Sequence, residues 1–385
     1  MRPRASLWLR ALCDPAGLDE QPVVSLSAAA LDGRGVERLL ELAQEHGVLP
    51  AVCANLHRLL RAGPQSLTAG RDVENLQNIL QKARQELLHE AGTTLVLRRD
   101  TAAAAAAMAV AQVPAIILKG MDFADRLYPA PLLRTQRDVD VLVPASAVPA
   151  ARDVLRGLGY QPAPPPRLKH PGDYGQESWW PRDTAGGNLE LHWNLVNSPT
   201  VRRGVNVGYE DLLLEAATGP CATVVPPEHA AKTAQPGAAR QQAMATLVGA
   251  PPRPAARPRA AVLPVPTPAS CLLIAAVHGG TSHSFERLQL LCDVRQLARR
   301  AAGAIDVDWL AATARRTGAA GTLATALRLT ARALNCAHSA ELLAELDLPE
   351  PPLWRWLLTP AVVTGEALLT RGRRQWFRQL LKKSR

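Results

Sequence analysis

Aromatic residues and cysteines are both scarce in this chain of 385 residues. Aromatics make up only 4% of it, so we expect a core built mainly from leucine, valine and alanine. No two cysteines lie closer than 21 positions, which excludes a CxxC pair and a local zinc motif. We therefore predict reduced, mostly buried thiols in a cytoplasmic protein. The six cysteines are Cys13, Cys53, Cys221, Cys271, Cys292 and Cys336.

The sequence also lacks a long apolar run. The longest stretch of low charge, residues 101–118, is rich in alanine and contains Gln112 and Pro114, so it falls short of the about 20 strongly apolar residues that cross a bilayer. The apolar run near the N-terminus is broken by Arg10 and Asp14, which makes it too short for a signal-peptide core. We expect no transmembrane segment and a cytoplasmic location.

Hydrophobic periodicity divides the chain into four parts. Residues 1–100 have helical spacing, and residues 101–225 alternate between strand and helix patterns. Residues 226–268 are rich in proline and alanine and are interpreted as a linker. Helical spacing returns over 269–385. The predicted fold is an α/β (α+β) core flanked by N- and C-terminal helical domains.

Within the core, short apolar runs alternate with amphipathic stretches. The predicted elements are strands over 115–118, 138–143 and 189–193 and helices over 121–127 and 146–157. Ser146 is predicted to cap the second helix. Trp179 and Trp180 are expected in a loop before the last strand, where they either stack on a base or sugar or pack between domains.

Asp138 and Asp140 carry the strongest chemical signal. They stand at positions i and i+2 of a predicted strand, so both carboxylates face the same side. Paired carboxylates on a rigid strand are suited to Mg²⁺, which completes its shell with water and phosphate oxygens. Bound metal ions then stabilise the attacking and leaving oxygens of a phosphoryl displacement. The alternative is a pair of strand-end residues that cap a loop.

Two further features point to the same chemistry. Lys119 and Gly120 lie between a strand and a helix, where a lysine charge and the backbone amides of a helix start attract phosphate. Glu190, in a later apolar strand, supplies a third carboxylate that either binds metal or takes a proton from an attacking hydroxyl. The alternatives are a surface lysine for Lys119 and a structural hydrogen-bonding pair for Glu190 and His192.

These residues occur in the pattern LKGxxxxxxLYPxPxxRxxxDxDxLV over residues 118–143, followed by GLGY at 157–160 and LELHWNL at 189–195. The pattern resembles an uncharacterised bacterial nucleotidyltransferase family of the DNA-polymerase-β-like superfamily. The resemblance extends into the C-terminal part through residues 278–294. It implies a nucleotidyltransferase core with a small mixed sheet.

The resemblance also implies Mg²⁺ or Mn²⁺ as cofactor and assigns residue roles. It implies catalytic, metal-binding Asp138, Asp140 and Glu190, and nucleotide-binding Lys119, Gly120, Arg134 and Arg137. Lys119 and Gly120 stand where the superfamily often has a Gly-Ser pair that contacts the nucleotide phosphates. Because the serine hydroxyl is missing, the phosphate contact must come from Lys119 and backbone amides, or be weaker.

The implied reaction is transfer of a nucleoside monophosphate from an NTP, with ATP among the candidates, to an acceptor hydroxyl, with release of pyrophosphate. The acceptor stays open between a small molecule, a sugar, a protein side chain and an RNA end. Two alternatives stay open as well. One is a catalytically inactive protein that still binds nucleotide, and the other is a helical scaffold or adaptor in which the motif is accidental.

The C-terminal part contains several candidate polar residues. A spacing of five predicts His278 and His283 on different faces of a helix, and neither a cysteine nor a carboxylate completes a zinc pattern there. A position at a helix end or in a substrate pocket is the alternative to metal binding. Asp293 is expected to form a salt bridge with Arg287 or Arg295.

The last fifteen residues form a basic tail. Residues 371–385 hold seven of the Lys and Arg residues and no acidic residue, which leaves only +3 of the net charge of +10 for the rest of the chain. The tail is predicted to be an amphipathic helix that either contacts an anionic membrane or nucleic acid, or packs on the protein with a solvated basic edge. Its apolar stripe consists of Trp376, Phe377, Leu380 and Leu381.

Overall fold

A computed structural model describes residues 2–17, 33–62, 73–164, 174–183, 186–216, 263–300, 303–349, 351–367 and 369–382. Most of the predicted linker lies outside the described residues, as does Cys221. Other cysteines are buried free thiols, which confirms the prediction for Cys13, Cys53, Cys271, Cys292 and Cys336.

The N-terminal part is helical, as the periodicity predicts. The second helix buries the apolar stripe that contains Leu39, Leu40 and Ala43, and the chain then turns at Gly47 with a φ of 69°. A long fourth helix follows, close to the one long helix that the pattern from Leu76 to about Ala111 predicts. The described helices of this part are α1 (Arg2–Leu12), α2 (Gly33–Glu45), α3 (Leu49–Ala62) and α4 (Val73–Val110).

A five-stranded mixed sheet forms the core in the order β1-β2-β5-β4-β3. Strands β2 and β5 run parallel, and the other neighbouring pairs run antiparallel. Its elements are β1 (Ile116–Ile117), α5 (Gly120–Leu127), β2 (Val139–Leu142), α6 (Val148–Gly157), β3 (Tyr160–Pro162), β4 (Gln176–Pro181) and β5 (Leu189–His192). A separate two-stranded sheet pairs β6 (Leu214–Glu215) with β7 (Val265–Pro266).

The C-terminal part is again helical. Among the described residues no helix is both long and apolar enough to cross a membrane. The helices are α7 (Pro268–His283), α8 (Leu288–Arg300), α9 (Val307–Thr317), α10 (Ala320–Ala333), α11 (Ala337–Leu346), α12 (Pro352–Leu357), α13 (Pro360–Val363) and α14 (Arg371–Leu381).

Strand alternation gives the sheet one apolar and one polar face. Val139, Val141, Leu189 and Leu191 pack into a buried cluster with residues of α4 and α6. Parallel pairing sets Asp140 opposite Glu190 on the other face. Because β2 and β5 share this register, the polar side chains of both strands point into the same space.

A second buried cluster joins the two helical parts of the chain. It includes Trp8 and Leu39 from the N-terminal helices, Phe123 from α5, and Trp354 and Phe377 from the C-terminal helices. Leucine, valine and alanine make up most of its members, as the low aromatic content predicts. The helices before and after the sheet thus share one apolar core, whereas the division of the chain into domains stays a prediction.

Two local predictions in the core are wrong. Ser146 does not cap α6, because it lies in a short 3₁₀ turn (Ala145–Ala147) and the helix begins after Ala147 with a proline in its first turn. Trp179 and Trp180 lie in β4 and not in a loop. Trp179 is buried beneath the sheet and Trp180 is exposed, as alternation along a strand requires.

The basic tail forms a helix that packs on the protein. Phe377 and Leu381 of α14 are fully buried, and the Phe377 ring meets Trp354 edge to face with a centroid distance of 5.1 Å. Leu380 is half-buried, and Trp376 remains 43% exposed. The buried stripe is therefore narrower than the sequence suggests.

His46 connects the N-terminal helices to α8. Its Nδ1 accepts a hydrogen bond from the Leu288 amide at 3.3 Å, and its carbonyl accepts one from the Gln289 amide at 3.2 Å. Burial and the nearby Arg287 charge lower the pKa of His46 from 6.5 to about 4. The folded protein therefore holds this imidazole in its neutral form.

We expect His46 to make the fold sensitive to acid. As the pH falls from about 6.5 towards 4, the unfolded chain takes up a proton at His46 that the folded chain excludes. The free energy of unfolding of the wild type should therefore fall by up to about 3 kcal/mol more than that of His46→Gln. Urea unfolding at several pH values measures this difference. His338→Gln, at an exposed position of α11, should follow the wild type, and parallel curves for the wild type and His46→Gln would contradict the prediction.

Candidate functional site

A cavity of about 410 Å³ opens between the polar face of the sheet and the C-terminal helices. It brings together every site residue expected from the sequence, which are Lys119, Gly120, Arg134, Arg137, Asp138, Asp140 and Glu190. The opposite wall carries His278 and His283 of α7, Arg287 of the following loop and Arg378 of α14. The cavity is thus formed by the sheet and the C-terminal helices together.

Asp140 lies at the centre of the polar contacts. Its Oδ2 accepts a hydrogen bond from Lys119 Nζ at 2.6 Å, and its Oδ1 lies 3.0 Å from His192 Nε2. The same His192 nitrogen is 3.5 Å from Glu190 Oε2, which also accepts a hydrogen bond from Gln176 Nε2 at 2.8 Å. Side chains from β2, β4 and β5 and from the turn after β1 therefore form one network.

The network sets the charges of its members. Burial alone would raise the pKa of Asp140, but the Lys119 ammonium and the His192 hydrogen bond outweigh it and hold that pKa well below its usual range. Burial alone would lower the pKa of His192, but the hydrogen bonds to Asp140 and Glu190 raise it to about 9. Asp140 is therefore ionised, and a positive imidazolium lies beside it at neutral pH.

Asp138 behaves in the opposite way. The negative charge of Asp140, followed by burial, raises the pKa of Asp138 to about 6. Two carboxylates on one face of a strand repel each other unless a cation lies between or beside them. Lys119 supplies only one positive charge at this place, and its ammonium bonds directly to Asp140.

The carboxylates of this group fit a divalent cation. One potential ligand atom each of Asp140, Glu190 and His192 lies within 4.8 Å of the others. At neutral pH the carboxylates are the ligands, because the protonated His192 ring cannot coordinate a metal ion. Carboxylate oxygens are the ligands that Mg²⁺ and Mn²⁺ prefer, and Asp138 adds another carboxylate at the cavity wall. The repulsion between Asp138 and Asp140 is the kind of electrostatic strain that a bound cation relieves.

The turn after β1 has an unusual backbone. Lys119 has a φ of 34° and Gly120 a φ of 39°, so both residues occupy left-handed conformations that only glycine adopts readily. The Leu118 amide donates a hydrogen bond to the Asp140 carbonyl at 3.0 Å, which ties the turn to β2. Helix α5 begins at Gly120 directly after this turn, without a side-chain cap. The strained turn therefore holds the Lys119 ammonium against Asp140 and leaves a helix start beside the cavity.

Arg134 is engaged in a buried ion pair. Its Nε and Nη2 donate to the two carboxylate oxygens of Asp293 at 2.9 and 2.8 Å, and Tyr128 donates to the same carboxylate at 2.7 Å. The prediction that Asp293 pairs with Arg287 or Arg295 is therefore wrong. The pairing depends on tertiary packing. Helix α8 packs against α5 and brings Asp293 to Arg134, from which it is far removed in the sequence.

His278 and His283 meet in the cavity. Their rings are in edge-to-face contact with a centroid distance of 4.7 Å, so the prediction of different helix faces is wrong. His283 is the last residue of α7, and the chain leaves the helix at Ser284 in a left-handed conformation with a φ of 51°. Burial lowers both pKa values, that of His283 to about 4, so both rings are neutral near pH 7.

The sequence patterns do not assign several of the cavity residues to the site. His192 stands two positions after Glu190, so strand alternation could have placed both on one face. Gln176 was missed because its strand was not recognised. Arg287 and Arg378 have no local motif, and only the packing of the C-terminal helices brings them to the cavity.

Comparison with known proteins yields a family match. A family described as uncharacterised nucleotidyltransferase matches residues 32–230, which is just over half of the 385 residues. No curated protein and no solved structure matches the chain. The matched range contains the sheet with its carboxylates, whereas the opposite wall with His278, His283, Arg287 and Arg378 lies beyond it.

We expect the ion pair of Arg134 and Asp293 to be essential for stability. Arg134→Leu should lower the free energy of unfolding by about 3–5 kcal/mol, because it leaves the Asp293 carboxylate buried without a counter-ion. The double variant Arg134→Leu/Asp293→Leu should lose less than the sum of the two single variants. Urea unfolding of all three variants measures the coupling.

Arg38→Gln provides the control, since Arg38 pairs with Glu41 on the surface and should contribute less than about 1 kcal/mol. An Arg134→Leu variant as stable as the wild type would contradict a structural role for this pair.

Proposed function

The chain belongs to the uncharacterised nucleotidyltransferase family, and on this premise we propose that it is a metal-dependent enzyme transferring a nucleoside monophosphate from an NTP to an acceptor hydroxyl. The observation that carries the proposal is the convergence of Asp138, Asp140 and Glu190 on one cavity, beside the turn of Lys119 and Gly120. A carboxylate group next to a helix start suits a metal-bound polyphosphate.

The carboxylates are the proposed cation ligands. Asp140 and Glu190 stand opposite each other in the parallel pair of β2 and β5, and Asp138 lies directly before β2. Mg²⁺ or Mn²⁺ bound there would neutralise phosphate charge and polarise the phosphoryl group that is transferred. His192 positions Asp140 through its hydrogen bond and adds a positive charge close to the carboxylates.

The reaction exchanges one P–O bond at the α-phosphorus for another. The acceptor oxygen forms a bond to the α-phosphorus, the bond from that phosphorus to the bridging oxygen breaks, and pyrophosphate leaves with the electron pair. The proton of the acceptor hydroxyl passes to a carboxylate of the site. We assign this role to Glu190, because its side chain is 28% exposed whereas that of Asp140 is fully buried.

The proposed phosphate ligands are basic residues on the sheet side of the cavity. Lys119 has three N–H donors and uses one on Asp140, which leaves two for phosphate oxygens. Arg137 is exposed at the cavity. Arg134 donates two hydrogen bonds to Asp293 and one, from Nη1, to the Gly120 carbonyl at 3.3 Å. Because these donors are already used, we propose that Arg134 stabilises the turn of Lys119 and Gly120 and does not contact phosphate directly.

A second candidate function is nucleotide binding without turnover. The observation that favours it is the bond between Lys119 and Asp140, because the ammonium occupies a carboxylate oxygen that metal would also use. The absence of a serine at position 120 points the same way. Binding and turnover must therefore be measured separately.

We expect Asp138→Asn to impair both nucleotide binding and turnover. Calorimetry with ATP, GTP, CTP and UTP in the presence of Mg²⁺ should detect binding of at least one nucleotide by the wild type. Asp138→Asn removes a carboxylate that makes no hydrogen bond to the described residues, so the fold should persist while metal-dependent affinity falls. Pyrophosphate release with an acceptor should fall by about 100-fold.

Glu177→Gln is the matched control. Glu177 lies in β4 on the opposite face of the sheet, where it pairs with Arg152, and its loss should leave nucleotide affinity unchanged. Asp140→Asn is best tested together with Lys119→Met, because the single change leaves the buried Lys119 ammonium without its counter-ion. Nucleotide binding without pyrophosphate release across an acceptor screen would support the binding-only function, and no binding of any NTP would contradict the proposal.

A further inference from the structure

The cations of the cavity differ in whether they have a partner. Lys119 bonds to Asp140, and Arg134 is held by Asp293. Arg137, Arg287 and Arg378 form no ion pair with any residue that the structure describes, although all three line the cavity. Of these three, Arg137 and Arg287 interact electrostatically with each other and with Asp138, so two guanidinium groups are available together beside the carboxylates.

Arg287 lies on a loop whose backbone is held by hydrogen bonds. The preceding Phe285 is fully buried, and its amide donates a hydrogen bond to the Gly279 carbonyl at 2.9 Å. The next amide along, that of Glu286, donates to the His283 carbonyl at 3.1 Å. On the other side the Leu288 amide is bonded to His46. The backbone on both sides of Arg287 is therefore fixed, and the side chain is half-buried at the cavity wall.

The two arginines lie near enough to affect each other. Burial, and then the positive charge of Arg137, lower the pKa of Arg287, while the charge of Asp138 acts in the opposite direction. Like charges at a half-buried wall are unfavourable unless an anion joins them. Asp138 belongs to the carboxylate group proposed to bind metal, so such an anion would lie next to the metal site.

We propose that Arg287 and Arg137 together bind the terminal phosphates of the nucleotide, so that the loop between α7 and α8 completes the nucleotide site. The inference rests on the proposed function for the identity of the ligand, a polyphosphate tail. Arginine suits this role because its planar N–H groups bind two phosphate oxygens at once. The carboxylates and Lys119 on the sheet side would then hold the metal and the α-phosphate, and Arg137 together with Arg287 of the opposite wall would hold the leaving pyrophosphate.

The test compares ligands with and without terminal phosphates. Calorimetry with Mg²⁺ would use the NTP that binds most tightly, its monophosphate, and inorganic tripolyphosphate. We expect R287Q to weaken binding of the NTP and of tripolyphosphate at least tenfold and binding of the monophosphate less than twofold. R287K, which keeps the charge but loses the planar donors, should lie between R287Q and the wild type.

Two further variants test whether the effect is specific to the proposed phosphate site. R332Q changes an exposed arginine of α10 that does not line the cavity, and it should bind all ligands as the wild type does. R137Q should reproduce the pattern of R287Q, and it carries the comparison if R287Q does not fold. Thermal unfolding of each variant verifies that the fold is retained.

The outcomes separate this inference from the proposed function. Equal weakening of NTP and monophosphate, or unchanged NTP affinity in both R287Q and R137Q, would overturn it. If the wild type binds tripolyphosphate but no nucleotide, and R287Q loses that binding, the phosphate site stands while the proposed function fails. A wild type that binds neither tripolyphosphate nor nucleotide overturns both.

Discussion

The site depends on the burial of one ionised carboxylate. Taking the Asp140 carboxylate out of water costs several kcal/mol unless charged and hydrogen-bonding partners replace the solvent. Lys119 and His192 provide these partners, each on one oxygen. Lys119 reaches Asp140 from a turn in which both its residues have left-handed φ angles. The fold thus accepts backbone strain at this turn to keep the carboxylate ionised.

Parallel pairing of β2 and β5 has a related consequence. It sets Asp140 beside Glu190 and Leu142 beside His192, so the residues on the polar face converge without any loop having to deliver them. Rigid strands hold side chains more precisely than loops do. Repulsion between Asp138 and Asp140 is then a property of the sheet itself. Such an arrangement favours binding of a cation.

Much of the fold follows from local pattern. The long helix α4 and the strands β2 and β5 have strong periodicity or continuous apolar runs, and these elements match their predictions closely. The carboxylates were predictable because strand alternation and the family resemblance both point to Asp138, Asp140 and Glu190. For these residues, local geometry alone decides which face they occupy.

Other parts of the fold and of the site could not be predicted from local pattern, because they depend on tertiary packing. Strands β3 and β4 are polar and partly exposed, and β4 exists because it pairs with β5. Asp293 could not be matched with Arg134 from the sequence, since 159 positions separate them and only the packing of α8 against α5 joins them. The contact between His278 and His283 could not be predicted from their spacing of five residues, because it depends on the directions of the two side chains at the end of α7.

The buried pair of Arg134 and Asp293 has a further meaning for the cavity. Arg134 also contacts the Gly120 carbonyl, so one guanidinium ties the turn that carries Lys119 to helix α8. The loop with Arg287 precedes that helix directly. Any shift of α8 relative to the sheet would therefore change the distance between the carboxylates and the opposite wall. The buried ion pair at this junction therefore links the turn beside the carboxylates to the helix that follows the opposite wall.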